Sequence, residues 1–371
     1  MSNTKLPAYP IYVKVAMVLV SIFIIGYLAI LGKELLAPLI IAMLLAILVL
    51  PVAVFLEKKL RFPRSAATFV AMLVLIGGTF LLFYLLASQL SNLAQDWPLF
   101  KEQMQHFFEN ARDWFSQKFH LNPKDRLTYV HNATEKIISS STVVLGSTVM
   151  SLSSLMVFLV FIMIYTFFLL FYRTRILKFL VSVFREQNEL LVYEIMERIQ
   201  YIIRKYLSGV LLEMGIVALA CCLAFLALGI KYAILLGLIV GIFNIIPYLG
   251  VITALLLSCV VTFATGASLA TVGGVAGIII GVHLIDANFL LPVIVGSKVR
   301  INALATIIGV IIGEMMWGIS GMFLSLPVIA ILKIIFDRVE GLQPWGILLG
   351  DEVEKKEPAV VVQQNEEPKE S

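Results

Sequence analysis

The sequence predicts an all-α, polytopic membrane protein, and three observations support that prediction. Of its 371 residues, 60% are hydrophobic and only 14% are charged, whereas soluble proteins carry about 25% charged residues. The mean hydropathy is +0.97. The apolar residues form runs close to the ~20 residues with which an α-helix crosses a bilayer. We therefore expect about seven to eight membrane segments, with the lipid bilayer surrounding most of the chain.

Five apolar runs are separate enough to assign as membrane helices. They cover residues 15–31, 35–56, 65–88, 151–172 and 208–229. Beyond Lys231 the chain stays apolar almost to Phe336, broken only by Gly, Pro and a few polar residues. The first run is longer than the ~7–15 residues of a signal-peptide core, and no clear cleavage site follows it. We therefore expect it to be a retained transmembrane helix.

Basic residues in the connections predict the orientation of these helices. The stretch "EKKLRFPR", residues 57–64, holds four basic residues, and residues 173–207 hold seven. The much longer connection 89–150 balances six basic against six acidic residues. We predict that 57–64, 173–207 and both termini face the inside, and that 89–150 faces the outside.

Two connections carry the three- and four-residue spacing of amphipathic helices. In the outer connection the apolar positions are Leu90, Leu93, Trp97, Phe100, Met104, Phe107, Ala111, Trp114 and Phe115. In the inner connection they are Leu191, Ile195, Ile199, Ile202 and Tyr206. We expect each apolar face to pack on a neighbouring helix or to lie at the membrane surface.

The stretch "GIFNIIPYLG", residues 241–250, interrupts one of the most apolar parts of the chain. Pro247 lacks a backbone donor and Gly250 lets the chain turn, while Asn244 and Tyr248 add polar side chains. Irregular backbone is tolerated at membrane depth only where protein buries it or water reaches it. Residues 232–265 are therefore interpreted as a re-entrant hairpin. The alternative is two complete spans joined by a tight turn.

A second interrupted segment, residues 303–336, has a similar pattern. "LLGLIVGIFNIIPYLG" and "TIIGVIIGEMMWGISG" both hold a Gly-x-x-x-Gly pair, then a polar residue, then a glycine where we expect the turn. The glycines concerned are Gly237, Gly241, Gly309, Gly313 and Gly321. The preceding spans run in opposite directions, so the two halves predict an inverted repeat, an arrangement common in secondary transporters. Glycines four apart also allow close helix packing, and both roles stay open.

Three acidic residues lie in this apolar half: Glu213, Asp286 and Glu314. An ionised side chain at mid-bilayer costs about 2.5–3.5 kcal/mol on insertion scales, so such residues usually have a function. We consider all three as carriers of a coupling proton. For Glu213 the alternative is a position near the inner surface, paired with a basic residue.

The stretch "DANFLLPVIVGSKV", residues 286–299, is the second dense group of polar residues and helix breakers. We expect a substrate pathway that this stretch lines together with the first interrupted segment. The pathway residues are Asn244, Pro247, Tyr248, Gly250, Asp286, Asn288 and Pro292.

Motifs for catalysis and cofactor binding are missing from the sequence. It has no phosphate-binding Gly-x-x-x-x-Gly-Lys-Ser/Thr loop, no Gly-x-Ser-x-Gly elbow and no His-Glu-x-x-His motif. The three cysteines, Cys221, Cys222 and Cys259, lie in apolar stretches and form neither a disulfide framework nor a zinc pattern. We expect no enzyme, no cofactor, no metal site and no nucleic-acid partner.

Four stretches resemble, in order and spacing, the autoinducer-2 exporter (AI-2E) family of bacterial membrane proteins. They are "GVLLEMG", "LGLIVGIFNIIPYLG", "DANFLLPVIVGSKV" and "GMFLSLPVIAILK". The likeness covers residues 12–340. It implies a homo-oligomeric inner-membrane transporter that does not hydrolyse ATP, moving a small polar solute such as autoinducer-2. Some members are associated with sodium- or lithium-for-proton exchange. The remaining alternative is a non-transporting membrane scaffold with the outer amphipathic helix as its working surface.

The expected organisation follows from these features. It comprises N-terminal transmembrane helices (1–88), an external amphipathic region (89–150), a transmembrane helix with a cytoplasmic amphipathic helix (151–207), a transport core with interrupted helices (208–340) and a disordered cytoplasmic tail (341–371).

The predicted orientation can be tested with single cysteines in a variant that lacks the three native ones. A cysteine at Gln117 should react with a membrane-impermeant thiol reagent in intact cells, because 89–150 is expected outside. A cysteine at Gln363 should be protected until the cells are opened. The reverse labelling would contradict both the orientation and the inverted repeat.

Overall fold

The computed structural model describes residues 10–96, 98, 102, 154–183, 189–247, 249–294 and 301–351, and this part of the chain is almost entirely helical. Its helices are α1 (Ile11–Leu31), α2 (Lys33–Lys59), α3 (Arg64–Gln95), α4 (Ser154–Phe171), α5 (Arg173–Val183), α6 (Glu189–Ala227), α7 (Ala233–Phe243), α8 (Leu249–Ala264), α9 (Leu269–Ile285), α10 (Ala303–Trp317), α11 (Ile319–Arg338) and α12 (Gln343–Leu349). After α9 the helix continues through a π-helical turn (Asp286–Leu290) into one last α turn (Leu291–Ile294).

Six helices in the described ranges are long and apolar enough to cross a membrane: α2, α3, α4, α6, α9 with its continuation to Ile294, and α11. Shorter apolar helices complete the set, namely Val15–Leu31 within α1, and α7, α8 and α10. The expected all-α, polytopic membrane fold is confirmed.

Small residues line the contacts among α2, α3 and α4. Ala53 of α2 and Ala71 of α3 are fully buried, and they pack with Val49 and with Leu170 of α4. Lipid tails are as apolar as leucine, so helices in a membrane gain little from burying large apolar side chains against each other. Small side chains instead let the helix backbones approach closely, and dispersion contacts then stabilise the bundle.

Helix α6 joins the predicted inner amphipathic helix to the next span in a single helix of 39 residues. Its apolar face, which includes Ile203 and Tyr206, packs against Leu44 of α2 and Leu324 of α11. The expected face positions Ile199, Ile202 and Tyr206 are all buried. Most of the corresponding outer pattern in 89–150 falls outside the described residues.

The first interrupted segment forms a short hairpin. Helix α7 has 11 residues and therefore rises about 16 Å, roughly half of a ~30 Å hydrocarbon core. Helix α8 packs against α7 and returns. The α7 arm is too short to cross the hydrocarbon core, whereas α8, with 16 residues, rises about 24 Å. The short first arm has the dimensions of a re-entrant element.

The second hairpin is less symmetric. Helix α10 has 15 residues, about 22 Å, whereas α11 has 20 residues, about 30 Å, and is long enough to cross. Its turn lies at Gly318, whose φ of 62° is in the left-handed region that favours glycine. We expected the turn at Gly321, which instead lies within α11.

The predicted glycines allow close backbone packing in both hairpins. A Cβ at Gly237 or Gly241 would overlap atoms of Cys222 or Ala218 on α6. In the second hairpin, a Cβ at Gly309 would overlap the side chain of Ile329, and Gly313 and Gly321 touch each other's backbone. The packing role of these glycines is therefore present in the structure.

The chain beyond residue 340 continues in ordered form to residue 351, which differs from the expected disordered tail at 341–371. The Asn302 side chain donates hydrogen bonds to the carbonyl oxygens of Leu348, at 2.6 Å, and Gly350, at 3.3 Å, and caps α10 by accepting from the Ala305 N–H. An isolated antiparallel bridge joins Ile301 to Gly350. The apolar stretch "WGILLG" thus has partners that its polar surroundings in the sequence did not reveal.

Ion pairs connect the basic connections at one end of the helices. Arg173 bonds to Glu57, and Arg64 donates to the Thr174 hydroxyl at 2.7 Å. Arg338 pairs with Glu194. The first two contacts place 57–64 beside the start of α5, and the third joins the end of α11 to the start of α6. The absolute orientation of these ends stays a prediction.

The close approach of the hairpin arms predicts the effect of one added methyl group. Gly250→Ala and Gly321→Ala should each destabilise the fold by about 1–3 kcal/mol, because the new Cβ would overlap the carbonyl oxygen of Phe243 or of Gly313. Gly215→Ala is the control, since nothing lies within 4 Å of its Cβ position. Thermal unfolding in detergent measures the difference. Equal tolerance at all three positions would contradict the tight packing.

Candidate functional site

Two acidic side chains from different helices lie buried at the turn of the first hairpin. Glu213 is on α6 and Asp286 is the first residue of the π-helical turn after α9. Their side chains belong to residues that are only 5% and 4% exposed. Both positions are deep within apolar helices, where an isolated charge is costly.

The side-chain amide of Asn244 joins the two carboxylates. Its nitrogen Nδ2 donates to Oε1 of Glu213 at 3.1 Å and to Oδ2 of Asp286 at 3.0 Å. Both partners are carboxylate oxygens, so the donor side of the amide faces them. The two bonded oxygens are therefore no more than about 6 Å apart. Asn244 sits at the end of α7, so the chain break at the hairpin turn brings the amide to this point.

Each carboxylate keeps a second oxygen with no partner. Oε2 of Glu213 and Oδ1 of Asp286 are buried and make no hydrogen bond to any residue that the structure describes. An unsatisfied buried acceptor costs about 1–3 kcal/mol, and more when it is charged. The group therefore has spare capacity to bind a proton or a positively charged ligand. Within the described residues no set of three or more His, Cys, Asp or Glu side chains could hold a metal ion.

The π-helical turn holds Asp286 and is followed closely by a proline. Pro292 has no N–H to give to the carbonyl of Asn288, four residues earlier, so one regular α-helical hydrogen bond is missing here. Asn288 is exposed, and its side-chain amide donates to the carbonyl oxygen of Leu284 at 2.7 Å. Single π turns within α-helices occur often at functional sites.

The other predicted site residues are distributed around this group. Pro247 lies half-buried in the turn, and Gly250 begins the return arm against Phe243. Tyr248 falls outside the described residues. Glu314 is exposed on α10 and is not part of the group that contains Glu213 and Asp286. For Glu213, the hydrogen-bond partner is Asn244 rather than a basic residue.

A polar cluster that sequence reasoning missed lies at the far end of α3. Asp96, just after α3, pairs with Lys231 and accepts a hydrogen bond from the Tyr232 hydroxyl. The Lys231 ammonium lies 5.7 Å from the Tyr232 ring centroid. This cluster fastens α3 to the start of the hairpin arm α7. The sequence contained a signal for this cluster. An acid follows the predicted span 65–88, a Lys-Tyr pair follows the span 208–229, and the ends of both spans are predicted to face the same side.

His283 is not among the site residues predicted from the sequence. It lies on α9, three residues before Asp286, and its buried Nδ1 atom has no partner among the residues that the structure describes.

A bundle of membrane-spanning helices, a short hairpin with an interrupted turn and a buried carboxylate pair at that turn define the class: a multi-pass membrane transporter. The AI-2E family transporter model matches residues 14–341. The chain belongs to the AI-2E family of membrane transporters.

Relatives with curated descriptions are similar over part of the chain. YueF of Bacillus subtilis (strain 168), a candidate transport protein, is 33% identical over 131 residues, 35% of each chain. PerM of Escherichia coli (strain K12), a candidate permease, is 30% identical over 132 residues, 35% of this chain and 37% of its own. These alignments span about a third of the length of the relatives.

The cluster at the end of α3 predicts a pH-dependent contribution to stability. The hydrogen bond from Lys231, followed by the one from Tyr232, holds the pKa of Asp96 below its usual value. A carboxyl whose pKa is lowered by folding stabilises the protein at neutral pH, and this stabilisation is lost as the pH falls through the lowered pKa. Asp96→Asn should therefore lower the unfolding temperature at pH 7, and the difference from the unmodified protein should shrink towards pH 3.

The control for this measurement is Glu34→Gln, an exposed acid in the first turn of α2. It makes the same acid-to-amide change at a position away from the cluster of Asp96, Lys231 and Tyr232. A difference between the Asp96→Asn variant and the unmodified protein that stays constant from pH 7 to pH 3 would contradict the ion pair.

Proposed function

We propose that this protein is a secondary transporter that moves a small polar solute, autoinducer-2 or a compound like it, across the bacterial inner membrane. Glu213, Asn244 and Asp286 are proposed as the site where a proton is coupled to that movement. The observation that carries the proposal is one amide nitrogen bonded to two buried carboxylates, each with a free second oxygen.

Two neighbouring carboxylates in an apolar environment favour a shared proton. Two negative charges within about 6 Å repel strongly where water is excluded, and each also loses its hydration. One proton removes one of these charges, while Asn244 can continue to donate to both side chains. Gain and loss of that proton change the net charge at the hairpin turn.

The position of the pair connects proton binding to movement. Glu213 is fixed in the long helix α6, Asp286 follows α9, and Asn244 belongs to the hairpin. When the proton leaves, repulsion between the carboxylates favours a different arrangement of these three elements. Interrupted helices that meet at a polar site near the membrane midplane are the elements that move in many secondary transporters.

The pathway residues of this proposal are Asn244, Pro247, Tyr248, Gly250, Asp286, Asn288 and Pro292. The irregular backbone at the turn and the π-helical turn supply polar groups at the depth where a polar solute would need them. Placement in the inner membrane, both termini in the cytoplasm and a homo-oligomeric state belong to the same proposal and are supported by the family.

A sodium- or lithium-for-proton antiporter is the second candidate, and the donor set favours it. Carboxylate and amide oxygens are the ligands that hard cations prefer. A monovalent cation that replaced the proton between Glu213 and Asp286 would satisfy the two free oxygens. A non-transporting scaffold is supported less, because a scaffold has no need for a buried carboxylate pair at a hairpin turn.

Conservative substitutions test the coupling site. Asp286→Asn and Glu213→Gln keep the shape of each side chain and remove its charge. Each should reduce pH-gradient-driven solute flux into proteoliposomes by at least about tenfold, a barrier change of ~1.4 kcal/mol or more. Glu314→Gln is the comparison, because this third acid lies exposed on α10. Its flux should stay close to that of the unmodified protein.

The same vesicles separate the candidate functions. A sodium or lithium gradient that moves protons without any solute would favour the antiporter. Unchanged pH dependence in all three variants would exclude proton coupling through these acids and would favour facilitated diffusion.

A further inference from the structure

Two hydroxyl groups on the returning arm of the first hairpin are buried without a hydrogen-bond partner. Ser258 and Thr262 lie on α8 and are 0% and 1% exposed, and their hydroxyl oxygens have no partner within the described part of the chain. Four residues apart, they share one face of the helix. That face also carries Gly250 and Ala254. It is the buried face of α8, and α8 packs against α7 and α9.

Several other hydroxyl groups in the described helices are hydrogen-bonded to the backbone of their own helix. Thr253 of α8 donates to the carbonyl oxygen of Leu249 at 2.7 Å, and Thr79 of α3 donates to that of Leu75 at 2.9 Å. Bonding to the carbonyl four residues earlier is the usual solution for a hydroxyl in an apolar helix. Ser258 and Thr262 do not make this bond, although α8 offers each of them a carbonyl oxygen four residues earlier.

The unpartnered groups form a line towards the carboxylate pair. Helix α9 is antiparallel to α8 and follows it after a short turn, and it carries His283 with its buried, unpartnered Nδ1. At 1.5 Å per residue along the helix axis, Thr262 and Ser258 lie about 3 and 9 Å from the point where α8 ends and the turn begins. His283 and Asp286 lie about 21 and 25 Å from its α9 end.

The gap between Ser258 and His283 is lined by the smallest side chains of α8. Ala254 and Gly250 are the face residues at this depth, and both are buried. The two positions differ by about 12 Å along the helices, so about three or four water molecules in a row would bridge them. Each hydroxyl or imidazole would then gain the partner that it lacks in the packed arrangement.

We propose that Thr262, Ser258 and His283 mark a water-filled proton route, closed in this structure, that leads from the α8–α9 turn to Asp286 and Glu213. This proposal rests on the proposed function, because it supplies protons to the coupling site. The route opens when α8 separates from its neighbours, and water then enters between the helices and links the hydroxyls to the imidazole.

Removing the hydroxyls gives the first test. Thr262→Val and Ser258→Ala delete unpartnered buried oxygens, so the unfolding temperature should stay the same or rise. Proton-driven flux should nevertheless fall about tenfold or more. The matched control is Thr68→Val, which deletes another fully buried, unpartnered hydroxyl on α3, away from the hairpin. A structural role alone predicts the same behaviour for all three variants.

Two substitutions at His283 test whether a polar atom is needed at the position of Nδ1. Asn can offer a polar atom close to the position of Nδ1, whereas Leu cannot. His283→Asn should therefore retain more flux than His283→Leu at equal thermal stability. Unchanged flux in both variants would remove His283 from the route.

Thiol labelling provides a readout that needs no substrate. Single cysteines at Ser258 and Thr262, in a variant without the native cysteines, should react with a hydrophilic, membrane-impermeant reagent added from the side on which Asp96 lies. A cysteine at Leu256, which is 61% exposed on the outer face of α8, should stay unreactive because lipid covers it. Addition from the opposite side should label neither route position.

Two results would overturn the route. One is the absence of labelling at both positions in protein that transports. The other is normal flux in the Thr262→Val and Ser258→Ala variants. If the unmodified protein shows no proton-driven flux, the proposed function fails, and labelling at Ser258 and Thr262 alone decides whether water enters between the helices.

Discussion

The side-chain amide of Asn244 links three separate helical elements at the turn of the first hairpin. It bonds to one carboxylate on α6 and to another after α9, from the end of a hairpin arm. In an apolar environment these bonds gain strength because no water competes for the partners. The same environment makes both carboxylates costly to charge. The arrangement of the C-terminal half depends on this balance between attraction through the amide and repulsion between the acids.

Close packing around the hairpin explains how the group can be placed so deep. Glycines on α7 let its backbone approach α6, and Gly250 lets α8 return directly against the end of α7. Larger side chains at these positions would move Asn244 away from its partners. At the opposite end of the hairpin, Asp96, Lys231 and Tyr232 fasten α7 to α3. The hairpin is therefore held at its turn and at its base, and a rearrangement must release one of these contacts.

Unsatisfied polar atoms identify where this protein differs from a well-packed membrane bundle. Counting only partners in the described ranges, a buried polar atom is left unbonded in each of five residues: Glu213, Ser258, Thr262, His283 and Asp286. Buried polar groups in folded proteins are usually bonded. Such atoms along α8 and α9 and at the carboxylate pair mean that the conformation in hand leaves part of its hydrogen-bonding capacity unused. A conformation that admits water or a ligand would use it.

The sequence by itself determined the fold class, because lipid imposes length and composition on every span, and four separated motifs were enough to indicate the family. It also favoured a hairpin over two complete spans, since Asn244, Pro247, Tyr248 and Gly250 fall close together in one apolar segment. The sequence alone did not show which acidic residues come together in the folded protein. Glu213, Asn244 and Asp286 are far apart along the chain, Glu314 fits the same pattern, and only packing separates them. The order beyond residue 340 likewise depends on Asn302, a partner that local composition does not specify. Hydropathy follows from each segment's own residues, whereas hydrogen bonds between distant residues exist only once the helices have packed.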